Sequence, residues 1–174
     1  MSIRVFQGIG PTISKNAYVD QNAVVIGDVS IGEDSSLWPN TVVRGDVHSI
    51  SIGNRTNIQD GTVLHVTAND KLHPGGHPIV IGNSVTIGHN ATIHGCTIED
   101  FALIGMGAII LDGAVVKAKA LVGAGSVVPP GALVEGGHLW IGNPAKMSRP
   151  LTQEELDYLE YSALHYINLK NNYE

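Results

Sequence analysis

The chain of 174 residues has little of what many proteins depend on, and each shortage excludes something. A single cysteine, Cys96, rules out an internal disulfide and suits a reducing compartment. No apolar run approaches the length needed to span a bilayer, and the start MSIRVFQGIGP lacks the long apolar core of a secretory signal, so a soluble, cytoplasmic protein is expected. Lys and Arg number 10 against 16 Asp and Glu, a net charge of -6, with no basic cluster. That argues against nucleic acid or an anionic membrane as partner. Only 15% of residues are charged, and an apolar outer wall is a reason to expect oligomers.

What the chain has in abundance is a period of six. From Ala102 a small residue recurs at Ala108, Ala114, Ala120, Ser126 and Ala132, and two places later an aliphatic recurs at Ile104, Ile110, Val116, Val122, Val128 and Val134. The same phase runs earlier through Ile13, Val19, Val25, Ile31, Leu37 and Val43, then Ile52, Ile58 and Leu64, then Ile81, Ile87 and Ile93. Six is neither a helical nor a simple strand period. A chain turning a corner every six residues forms a three-sided coil with stacked inward aliphatics, and the expected fold is an all-β, left-handed parallel β-helix of hexapeptide repeats. Gly27, Gly32, Gly53 and Gly82 follow inward aliphatics, where a positive φ or tight packing would exclude a Cβ.

The repeat fades through Gly142, Asn143 and Pro144. Thr152 with Glu155 three places on is a capping-box start, and Leu156, Leu159, Ala163, Leu164 and Ile167 return at helical spacing. One β-helix domain over 1–150 and one amphipathic C-terminal α-helix over 151–174, packed on a wall of the coil or on a neighbouring subunit, are expected.

Three interruptions mark where function would be inserted. The step from Val43 to Ile52 is long, the segment from Leu64 to Ile81 has the composition of an extruded loop, and one residue is missing between Ile93 and Ile98. Counting three hexads per turn places Val43, Leu64 and Ile93 above one another. The residues that follow them, Arg44, His65 and His94, then form one outer column with neighbours about 4.8 Å apart. His89, two places after Ile87, lies on an adjacent side above Asp60. A single chain cannot bring His89 to the other two histidines, whereas three copies around a three-fold axis can. Three neutral imidazoles plus a water form a catalytic zinc arrangement, in which the metal lowers the pKa of the water toward ~7. The competing readings are ordinary histidines or a purely structural metal clip. Met106 and Leu111 are read as apolar wall.

The strings VVRGDVHSI, RTNIQDGTVLH, TIGHNATIHGC and GMGAIILDGAVV resemble the gamma-class carbonic anhydrases and their close relatives, a trimeric left-handed β-helix family, from about Asn16 to the C-terminal helix. The resemblance implies zinc, iron or cobalt bound by His65, His94 and a neighbour's His89, and reversible hydration of CO2 to bicarbonate. It also implies a subunit-crossing ion pair of Arg44 with Asp46, Gln59 and Asp60 near the metal water, and Tyr161 lining the pocket. On chemistry alone, Arg44 can pair across an interface, attract bicarbonate, or only hold a trimer together. Gln59 suits orienting a water without binding the metal, and Asp60 can brace a histidine or Arg55. The chain departs from the archetypal member where an Arg-Gly-Asp is followed by a glutamate: it has Val47, and its loop offers Asp70, His73 and His77. Either histidine could replace the missing proton shuttle.

Two other functions compete. Hexapeptide β-helices also serve as acyltransferases, and some relatives look like thioester hydrolases, with a histidine as general base and CoA in the groove between subunits. A non-enzymatic scaffold stapled by its metal is the third.

Overall fold

The computed structural model describes residues 2–173; the outermost positions of the two expected segments, 1 and 174, lie outside it. Short parallel strands stack into three walls, each strand pairing with the equivalent strand of the coil before and after it. On the first wall the register runs Val25, Val43, Leu64, Ile93, Ile110 and Val128, and all six side chains are fully buried. On the third it runs Leu37, Ile58, Ile87, Ile104 and Val122, equally buried. These are the aliphatics of the six-residue period, so the β-helix expectation is borne out. Each coil covers its apolar floor with the next, which is why the columns must continue without a gap.

The corners show a division of labour that the glycines alone did not predict. Gly27 does carry a positive φ of 78°. Gly53 does not; it is small because a Cβ there would lie 2.6 Å from the Gly82 carbonyl oxygen of the adjacent coil. The left-handed turn at that corner is made instead by the next residues along, Asp34, Arg55, Ser84, Phe101 and Lys119, with φ of 55–59°. Stacked side chains support it: Asn54 Oδ1 accepts from the Glu33 N–H, Asn83 Oδ1 from the Asn54 N–H and Asp100 Oδ1 from the Asn83 N–H, at 2.8, 2.9 and 2.7 Å.

Where the repeat fades, the coil is closed rather than ended. His138–Gly142 joins the third wall, with Leu139 opposite Leu121, then turns back into the antiparallel strand Ala145–Pro150. Helix α1, Gln153–Lys170, starts at the expected capping box: the Glu155 N–H donates to Thr152 Oγ1 at 3.2 Å and the Thr152 N–H to the Glu155 carboxylate at 2.9 Å. It lies on the third wall, burying Leu159 and Ala163 and bonding Ser162 to Thr86 at 2.9 Å. The expected stripe is narrower than its sequence spacing, because Leu164 points away and is 56% exposed. Polar and aromatic groups finish the seam: Tyr166 packs on Trp38, and Lys170 pairs with Asp34 at 3.1 Å. Among the described residues, no helix is long and apolar enough to cross a membrane.

Candidate metal centre

Arg44, His65 and His94 stand in register on the first wall, at the ends of the runs that the interruptions follow. The long step after Val43 lets Val42–Ile52 continue around a corner as one bent strand, and this carries Asp46 back toward the ridge. Arg44 Nη1 lies 2.5 Å from Asp46 Oδ2 of the same chain: with Gly45 between them, the two side chains close on each other locally.

His65 Nδ1 faces His94 Nε2 at 3.1 Å. The outer nitrogens both face carboxylates: His65 Nε2 is 3.1 Å from Asp46 Oδ1, and His94 Nδ1 is 2.5 Å from Asp112 Oδ1. Two neutral imidazoles own two N–H groups, but this row has three contacts to fill. If the carboxylates take both, two lone pairs meet in the middle, and a shared proton or a cation is needed between them. Burial pushes the His65 pKa below its ordinary value, with the Arg44 charge and His94 adding and the Asp46 hydrogen bond opposing. Burial would raise both carboxyls, yet hydrogen bonds from Arg44 and His65 hold Asp46 below the usual range, and those from His94 and Thr67 do the same for Asp112. Ionised carboxylates bracing neutral imidazoles are the usual outer partners of metal-ligating histidines.

His89 stands on the third wall after Thr86–Ile87, one register step above Asp60, and its Nδ1 lies 2.9 Å from Asp60 Oδ2. Asp60 therefore braces a histidine and not Arg55, whose Nε donates to Ser84 at 3.3 Å. The separation of His89 from the other two is as counted, and among the described residues no three metal-capable groups of one chain come together. Gln59 is buried beside His89 and donates its Nε2 proton to Asn57 Oδ1 at 3.1 Å. Both line a mostly apolar groove of about 360 Å³ beneath helix α1.

Tyr161 does not line that groove. Tyr158 and Tyr166 do, while Tyr161 is 59% exposed and stacks on His165, because one helical face cannot present residues 158, 161 and 166 together. Cys96 is buried, its thiol pushed up to about 12 chiefly by burial, so it offers no ligand. Of the loop histidines, His73 stands in solvent beside Asp70 at 3.2 Å, whereas the backbone of His77 pairs with Thr67 at the loop base. Asp112 and Thr67 were not singled out from sequence. The register that stacks Ile110 on Ile93 would have placed Asp112 near His94, had the carboxylate next to Leu111 been weighed.

The coil defines a hexapeptide-repeat β-helix that carries a histidine-carboxylate ridge. The family model described as "Bacterial transferase hexapeptide (six repeats)" matches residues 10–45. Protein YrdA of Escherichia coli is 50% identical over 98% of this chain and 93% of its own length, and a probable carbonic anhydrase of Methanocaldococcus jannaschii is 52% identical over 93% and 98%. A mitochondrial gamma carbonic anhydrase 2 of Arabidopsis thaliana is 51% identical over 91% of this chain, which spans 57% of that protein. Among solved structures, a hexapeptide transferase family protein from Anaplasma phagocytophilum superposes with a TM-score of 0.92 at 42% identity, covering 99% of this chain and 98% of that one. The chain belongs to the gamma-class carbonic anhydrase-like family.

Proposed function

We propose that the chain is a carbonic anhydrase-like lyase: three copies assemble around a three-fold axis, His65 and His94 of one copy and His89 of the next hold zinc, with iron or cobalt as alternatives, and the assembly reversibly hydrates CO2 to bicarbonate in a reducing cytoplasm. The observation that carries this reading is that each of the three imidazoles has one ring nitrogen on a carboxylate, Asp46, Asp112 or Asp60, and the other left for a ligand. A metal bound there supplies a Lewis-acidic centre that makes water ionise near neutral pH.

The chain's own groups supply the rest. Asp46 fixes the His65 ring and draws the Arg44 guanidinium to the same ridge, where its remaining N–H groups can attract an anionic product. Gln59, with its amide N–H committed to Asn57, offers its carbonyl oxygen to a water proton. Val47 is 47% exposed where a shuttle carboxylate is absent, which leaves the loop histidines, His73 or His77, to carry the proton outward.

An acyl-transfer or thioester-hydrolysing reading draws support from the transferase description of the matching repeats and from a groove larger than CO2 requires. Metal analysis with CO2-hydration and acyl-CoA-hydrolysis assays on the purified protein separates the two. His89→Ala and His65→Ala should each lose metal, and mixing them under subunit exchange should restore part of it. No recovery argues against a shared site, and thioesterase turnover indifferent to chelation favours the second reading.

A further inference from the structure

We propose that Asp112 is a positioning residue for His94 and that, through Thr67, the same carboxylate latches the 66–78 loop to the histidine ridge. This rests on reading His94 as a metal ligand. Asp112 projects from the coil above the ridge, in the unbroken part of the repeat, so its backbone is fixed by stacking that owes nothing to the site. Its two oxygens serve different elements: Oδ1 faces His94 Nδ1 at 2.5 Å, and Oδ2 accepts the Thr67 hydroxyl proton at 2.7 Å. Thr67 and His77 form an isolated antiparallel bridge that closes the loop, with N–H to O distances of 3.1 and 2.9 Å. The base of the loop is pressed onto the ridge at Gly95, directly after His94. A Cβ there would fall 2.4 Å from Asp112 Oδ1 and 2.7 Å from His77 Cβ.

Two consequences follow. With Oδ1 as acceptor, the His94 proton is held on Nδ1, which leaves Nε2 as the ligating nitrogen before any metal arrives. Because one carboxylate joins ligand and loop, loading the site and closing the loop favour each other, and by linkage the effect runs both ways.

The test uses the full chain. In metal-free protein, 15N shifts of the imidazoles should show the His94 proton on Nδ1, and Asp112→Asn, which keeps the shape but loses one acceptor, should mix the tautomers. Cobalt titration should show affinity falling about 10–100-fold in Asp112→Asn. Thr67→Val should lower affinity several-fold and abolish the slowing of hydrogen exchange that cobalt produces at the Thr67 and His77 amides, and Thr67→Ser should restore both. A wild-type His94 protonated on Nε2, or unchanged cobalt affinity in folded Asp112→Asn, overturns the brace. Cobalt protection of the loop surviving in Thr67→Val overturns the latch, and that variant decides if Asp112→Asn does not fold. A wild type that binds no cobalt sinks the metal reading while the tautomer result still stands.

Discussion

Two stretches of one solenoid are built to the same period and do different things. From Ala102 to Val134 the repeat is unbroken, and Ile104, Ile110, Val116, Val122 and Val128 form closed columns at 0% exposure. Between Arg44 and Ile98 it breaks three times, and six of the eight histidines lie there. The regular coils hold themselves by stacking, without needing fixed contacts among their outer side chains. A break supplies a bent strand or a loop, and each of these turns a polar side chain toward the ridge: Asp46 and Thr67 in that order. Asp112 is the point where the regular stretch reaches into the irregular one.

Ile104→Ala, in the unbroken columns, should cost about 2–5 kcal/mol in urea unfolding while Leu72→Ala, on the extruded loop at 84% exposure, stays within about 0.5 kcal/mol. Similar losses at the two positions would erase the contrast between column and loop. Arg44→Ala removes a 42% exposed partner from Asp46, so its effect on folding should be within about 1 kcal/mol, with the larger change in assembly or turnover. Sedimentation and a CO2-hydration assay check it, and unchanged assembly with unchanged turnover takes Arg44 out of the site.

The smallest effect lies away from both stretches, at the helix start. The Arg149 hydrogen bonds, with the Thr152 N–H, lower Glu155 from the ordinary 4.5 to about 2. A depressed folded-state value means that its contribution is present above pH 4.5 and fades as pH falls from there toward 2. The helical circular-dichroism signal should weaken over that window, and Glu155→Gln should flatten the dependence. An identical acid profile in the variant would show that the cap does not hold the helix.

Much of this was legible because counting sixes is equivalent to stacking coils. The registers Arg44, His65, His94 and Asp60, His89 followed from the period alone. The direction in which Tyr161 points, which only the resemblance suggested, was not legible in the period, because a helix face is fixed only once the helix is docked, and the docking is set by Leu159, Ser162 and Ala163. The corner residues Arg55 and Ser84 were not legible because nothing in their side chains signals a left-handed backbone; the adjacent coil imposes it.

The β-helix, its inward columns and the wall on which each histidine stands were therefore decided by the amino-acid order, since a strict repeat converts position along the chain into position around the coil. Which ring nitrogen meets which carboxylate, that Asp46 closes on Arg44 of the same chain, and that Asp112 and Thr67 share one contact across the loop were decided only in three dimensions. Those contacts lie at or beside breaks of irregular length, where side-chain direction is set by local packing.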